Sequence, residues 1–187
     1  MKKNQDLKNI EVEKKKKMSW KRFFIYLIVV LVLIALDQFT KYQIVNNTTL
    51  MNGESIEVIP GFFNLKYAFN KGAAFSFLAD THWGISLLTV ISILATIFLF
   101  IFLVLNSNKH PLLMTSVSFI LAGTVGNMID RIRLNGVIDF LDFYHNDWHF
   151  PTFNVADSCI TVGAILLIIY FIIADSGEHK EINKADN

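Results

Sequence analysis

The stretch WGISLLTVISILATIFLFIFLVL (83–105) contains no charged residue. A helix rises about 1.5 Å per residue, so roughly 20 apolar residues cross the hydrocarbon core of a bilayer. This run therefore reads as a membrane span, and the rest of the chain is read outward from it. Upstream, Phe23–Leu36 is apolar and continues through DQFTKYQI to give a span of about 22–44. Downstream, Pro111 opens a third span of about 112–130, since proline suits the first turn of a helix. The fourth covers about 158–174, with Asp157 or Ser158 as its N-cap. The expected fold is an all-α membrane protein, a four-helix transmembrane bundle with a small extracytoplasmic β-sheet between spans one and two.

Composition agrees with a polytopic protein. The chain is 53% apolar and 18% charged, where a soluble domain carries about 25% charge. The net charge of +1 hides an asymmetry, because nine Lys and Arg against three acids fall within residues 1–22. Such a cluster beside a span is explained by topology and anionic lipid, not by nucleic acid, and no nucleic-acid partner is expected. No small-x-small cleavage site follows the first run; Asp37, Lys41 and Tyr42 come instead. The basic segment 1–20 is expected to be a disordered cytoplasmic tail, and 177–187 a second cytoplasmic tail. The domain itself is assigned to 21–176. Cys159 is the single cysteine, so no internal disulfide forms, and it is read as a small packing residue.

With the basic tail inside, an even span count returns the C-terminus inside. The segments 45–82 and 131–157 then lie outside, and only they are long enough to build a site. In FFNLKYAFN (62–70), Phe63, Leu65, Tyr67 and Phe69 alternate with Asn64, Lys66, Ala68 and Asn70, the period of a strand with one apolar face. Ser55–Ile59 is a second strand, and Pro60-Gly61 the turn between them. The apolar face rests either on lipid and a lipidated substrate or simply on the helix bundle.

Two aspartates stand out in the second outer segment, Asp139 in GVIDF (136–140) and Asp157 in FNVADS (153–158). A carboxylate near a bilayer is costly and rarely idle. Two carboxylates sharing one proton supply both the base and the acid that hydrolysis by water needs. A helix N-terminus beside Asp157 favours its anion and makes Asp139 the more natural proton carrier, although a coupled pair titrates together. The plainer alternative is that Asp157 caps the fourth helix and Asp139 is a solvated loop acid.

Other polar motifs are read as support. Asp37 and Lys41 lie at i, i+4 on one helix face, either as an interfacial ion pair or as a bracket for the site. Asn127 and Asp130 share a face, with Arg131 at the membrane edge, while Gly123 and Gly126 admit a close neighbour; these hold the site and do no chemistry. In NKGAAFS (70–76), Asn70 and Gly72 suit a tight turn, and small residues at 72–74 leave room for a substrate chain. Asn154 can orient a carboxylate, and Ala156 keeps the spot uncrowded. His145, His149, Asp142 and Asp147 could suggest a metal, but the histidine spacing suits one only on a helix and HNDWHFP is read as a loop. No metal and no cofactor are expected. Trp83, Trp148 and Tyr144 read as interface anchors. Ser76 and Ser158 have no histidine partner in a fixed motif.

Taken in order, DQFTK (37–41), NKGAAFS (70–76), GTVGNMIDR (123–131), GVIDFLDF (136–143) and FNVADS (153–158) resemble the lipoprotein signal peptidases, or signal peptidase II. The likeness runs from about Phe23 to Ala174. It implies an aspartic endopeptidase of the bacterial plasma membrane that removes signal peptides from diacylglyceryl-modified prolipoproteins, cutting just before the lipidated cysteine. It implies Asp139 and Asp157 as the catalytic pair, and Asp37, Lys41, Asn70, Gly72, Asn127, Asp130, Arg131 and Asn154 as supporting residues. The expected partners are the lipidated prolipoprotein and membrane lipid, with the enzyme acting as a monomer, both termini cytoplasmic and the site near the outer leaflet. Thr124 and Val125 depart from the expected residue shapes. A small ion-coupled transporter using Asp37, Lys41 and Asp130, or a membrane scaffold, are the rival readings.

Overall fold

The computed structural model describes residues 19–72 and 83–185. Residues 1–18 of the tail expected to be disordered, and residues 73–76 of NKGAAFS, lie outside the described residues; Ser19 and Trp20, also assigned to that tail, instead open the first helix. In chain order the elements are α1 (Trp20–Val45), the single turn α2 (Thr48–Met51), β1 (Ser55–Ile59), β2 (Phe63–Asn70), α3 (Gly84–Asn106), α4 (Pro111–Leu134), β3 (Val137–His145), β4 (Trp148–His149) and α5 (Val155–Ala185). Helices α1, α3 and α4, with the Val155–Asp175 part of α5, are long and apolar enough to cross a membrane.

The helix ends follow local chemistry. Ser19 caps α1, its Oγ accepting from the Arg22 amide at 3.4 Å. Pro111 occupies the first turn of α4 and His110 caps it. That helix stops at Asn135, whose φ of 56° is left-handed, with Arg131 and Arg133 complementing the C-terminal dipole. Helix α5 starts earlier than the sequence suggested. Its first residue is Val155, so Asn154, not Asp157 or Ser158, is the cap.

Helix α4 is the buried centre of the bundle, whereas α1, α3 and α5 expose apolar faces such as Leu31, Phe98 and Ile168. Near its start, Met114, Val117 and Leu121 pack with Phe23, Tyr26 and Leu103. Towards its end, small residues let the backbones close in. A side chain at Gly123 would strike the Ala156 carbonyl, and one at Gly126 would meet the Asp37 carboxylate.

The sheet differs from the expectation in its origin. It is antiparallel with the order β1-β2-β3-β4, so half of its strands come from the segment after α4. That second half escaped the period-two test because β3 is buried along most of its length, on both faces, and carries two buried acids, Asp139 and Asp142. The residues read as a histidine loop form the β3–β4 hairpin. The apolar face of β2 packs inward, with Leu65 and Tyr67 against Ile44, Leu50, Ile138 and Phe140, and Phe63 stacked on Phe143. Among the two readings of that face, packing on the protein itself holds for these three residues. Tyr144 is a sheet residue too; it donates to Glu57 Oε1 at 2.7 Å and stacks on His149.

Candidate active site

The strand pairing of β2 with β3 sets Asn70 opposite Val137 and Ala68 opposite Asp139. This brings the Asn70 amide to Asp139, and Nδ2 donates to Oδ2 at 2.9 Å. Asn70 is itself oriented by the turn that follows: Gly72, at a φ of 96° that glycine tolerates, donates its amide to Asn70 Oδ1 at 2.8 Å. Asp139 is 2% exposed. It is therefore no solvated loop acid. Burial pushes its carboxyl up to about 6; the Asp157 charge adds to this, and hydrogen bonds from Asn70 and Asn154 act against it.

Asp157 reaches the same place from α5. It stands in the first turn and forms a reciprocal capping pair with Asn154. The Asp157 amide donates to Asn154 Oδ1 at 2.9 Å, and the Asn154 amide donates back to Asp157 Oδ2 at 3.2 Å. Its other oxygen accepts from Asn127 Nδ2 at 2.7 Å. Asn154 Nδ2 in turn donates to Asp139 Oδ1 at 2.7 Å. One asparagine side chain thus links the two aspartates, which are distant in sequence.

Behind this pair lies a buried ionic cluster. Lys41 Nζ donates to Asp37 Oδ2 and Asp130 Oδ2, each at 2.9 Å, and to Asn127 Oδ1 at 3.1 Å. Three donors meet three acceptors, and the three charged side chains are 1–3% exposed. The remaining carboxylate oxygens are used on the backbone and on Gln38. Asp37 Oδ1 accepts from the Ala156 amide at 2.9 Å, and Gln38 Nε2 reaches both Asp37 and Asp130 at 3.1 Å. Asp130 Oδ2 also accepts from the Ile138 amide at 3.2 Å, just ahead of Asp139. A buried charge left unpaired is costly, so the cluster fixes α1, α4, β3 and α5 relative to one another.

Asp139, Asp157, Asn70, Gly72, Asn127 and Arg131 all face one cavity of about 630 Å³. Asp37, Lys41, Asp130, Asn154 and Ala156 form the layer behind it. Arg131 donates to Ser92 Oγ of α3 at 3.2 Å. Much of the wall is apolar: Phe69, Leu88, Val137, Phe150 and Phe153. Gln38, Ser92, Leu88, Val137, Phe150 and Phe153 carry no individual site reading in the sequence, whereas Phe69 belongs to the apolar strand face read there. Gln38 lies beside Asp37 in the DQFTK motif, but the second acid that it bridges, Asp130, stands on another helix and leaves no local signal. The wall residues come from β2, α3, β3 and the segment between β4 and α5, and share no local pattern.

The decoy groups are placed elsewhere. His149 Nδ1 lies 2.8 Å from the buried Asp142 carboxylate, and His145 and Asp147 stand exposed on the hairpin. Ser158 Oγ donates to the Asn154 carbonyl.

The sequence profile of a family described as "Signal peptidase (SPase) II" matches residues 29–173. A lipoprotein signal peptidase of Coxiella burnetii (strain Dugway 5J108-111) is 40% identical over 168 residues, covering 89% of this chain and 99% of its own length. One from Cupriavidus necator is 48% identical over 140 residues, covering 74% and 78%. A solved structure described as a bacterial membrane enzyme superposes with a TM-score of 0.71 at 32% identity, over 82% of this chain and 90% of that one.

Proposed function

The chain belongs to the signal peptidase II family, and from that membership and the geometry of the cavity we propose that Asp139 and Asp157 perform an aspartic hydrolysis. The protein is a multi-pass bacterial membrane protease that removes signal peptides from prolipoproteins. The finer reading is that the substrate is diacylglyceryl-modified and is cut just before the lipidated cysteine. The observation that carries the aspartic mechanism is the Asn154 bridge, which sets two carboxyl groups of different environment on one cavity.

Asp139, raised by burial to about 6, holds the shared proton. Asp157, whose oxygens accept from Asn127 and from the Asn154 amide, takes a proton from the attacking water. The water oxygen bonds to the scissile carbonyl carbon, and the Asp139 proton neutralises the carbonyl oxygen. When the C–N bond breaks, a proton passes to the leaving nitrogen. The products are a signal peptide ending in a carboxyl group and a lipoprotein beginning with an amine. Asn70, Asn127 and Asn154 hold the pair in position, and Arg131 supplies positive charge at the rim.

The apolar walls at Phe69, Leu88, Phe150 and Phe153 receive the lipidated neck of the substrate. Lys21, Arg22 and Lys109 gather at the end of the bundle away from the sheet, which supports cytoplasmic termini and a site near the outer leaflet. The transporter reading is not favoured, since Lys41 is fully engaged by Asp37, Asp130 and Asn127.

The test is cleavage of a diacylglyceryl-modified prolipoprotein by purified parent, Asp139→Asn and Asp157→Asn. Both variants should be folded and inactive. Cleavage at the parental rate by either one overturns the mechanism.

A further inference from the structure

A second cavity, of about 560 Å³, lies at the end of the bundle away from the sheet, between the start of α1, the end of α3 and the start of α4. Arg22, Lys109 and His110 line it, with no aspartate or glutamate among the lining residues, and all three are exposed. Their surroundings hold them in place. Arg22 Nη1 reaches the Asn108 carbonyl at 3.4 Å, using one of five donors. Lys109 Nζ lies 5.7 Å from the centre of the Phe102 ring. His110 Nδ1 accepts from the Leu112 amide at 3.2 Å, which puts the ring proton on Nε2 as a donor. The N-terminus of α4 adds partial positive charge to the same spot.

The aromatic residues around the cavity mark a membrane boundary. Trp20 is 60% exposed beside Phe24, and the His110 ring lies 5.4 Å from that of Tyr170. Immediately below, α3 exposes Leu105, Ile101 and Phe98 in line. Cations at the boundary with an apolar track beneath them match a phosphate carrying acyl chains.

We propose that this cavity binds the phosphate of an anionic bilayer phospholipid, with an acyl chain lying along the exposed face of α3. The site is separate from the peptidase cavity, and its test does not use cleavage. Dioleoylphosphatidylglycerol is titrated into the full-length detergent-solubilised protein, and bound lipid is counted by native mass spectrometry. Dioleoylphosphatidylcholine is run in parallel. The Arg22→Gln/Lys109→Gln double variant should bind phosphatidylglycerol about 30-fold more weakly, at the usual contribution of a cation near anionic lipid. Phosphatidylcholine binding should not change. Lys66→Gln/Arg133→Gln removes the same charge elsewhere and should bind phosphatidylglycerol like the parent. Equal phosphatidylglycerol binding by the Arg22/Lys109 variant and the parent overturns the proposal, as does an equal loss in the Lys66/Arg133 control. Competition by sn-glycerol 1-phosphate at the lipid's own concentration would assign the site to a soluble phosphate and overturn the lipid.

Discussion

Replacing Asp139 with asparagine should change the sign of its effect on stability with pH. A carboxyl raised from 3.8 to about 6 in the folded protein disfavours its anion by up to about 3 kcal/mol. The folded value lies above the unfolded one, so this cost is absent below pH 3.8 and complete above about pH 6. The substitution removes it. Against that gain, Asn70 and Asn154 both present Nδ2 to Asp139, at 2.9 and 2.7 Å. Neither amide is free to turn, because Gly72 and Asp157 donate to their Oδ1 atoms. The new amide therefore faces a donor and loses about 1–2 kcal/mol. The variant should be about 1–2 kcal/mol less stable than the parent below pH 4 and about 1–2 kcal/mol more stable above pH 7. In a chain of this size that is about 2–8 °C in Tm. The buried single thiol, Cys159, reports unfolding through a fluorogenic maleimide, once dye reactivity has been calibrated at each pH. Parent and variant curves that stay parallel from pH 4 to 8 would refute the reasoning, as would a variant that still cleaves substrate.

Lys41→Met strips the cation from two buried carboxylates and should cost about 3–5 kcal/mol in the same melt, with cleavage lost. Gly126→Ala places a methyl 2.6 Å from Asp37 Oδ2; it should cost about 1–3 kcal/mol and lower kcat, and parental values for both would mean the ionic cluster is slack. Phe69→Ala opens the apolar wall and should raise KM for a lipidated substrate several-fold with kcat nearly kept; an unchanged KM would remove Phe69 from the substrate path. Cleavage should survive a chelator, and activity lost to the chelator but restored by zinc would move attention to Asp142 and His149.

Much of this was legible in the chain. The spans were visible because lipid imposes a composition that soluble packing does not. Strand β2 was visible because one face alternates. Strand β3 was not, since burial on both faces erases the alternation, and this left Asp139 readable either as one of an acid–base pair or as a loop acid. The polar motifs named the residues around the cavity, but the eighteen-position offset from Asp139 to Asp157 carries no distance. The Asn154 bridge, the three-way engagement of Lys41 and the part of Gln38 emerge only when four elements converge. The same holds for the helix start: in FNVADS the sequence favours Asp157 or Ser158 as the cap, whereas the reciprocal pairing of Asn154 with Asp157 makes Asn154 the cap.

The union of β2 with β3 has a consequence for biogenesis. The two strands flank a pair of spans, so the ribosome must deliver both spans and everything up to the final helix before the cleft has walls. A nascent chain with only its first half in the bilayer carries Asp37 and Lys41 but neither member of the proposed dyad. Proteolytic competence therefore arrives late in synthesis and all at once. A gene split at the short connection after α3 should yield two inert halves that regain activity only on finding each other in the membrane.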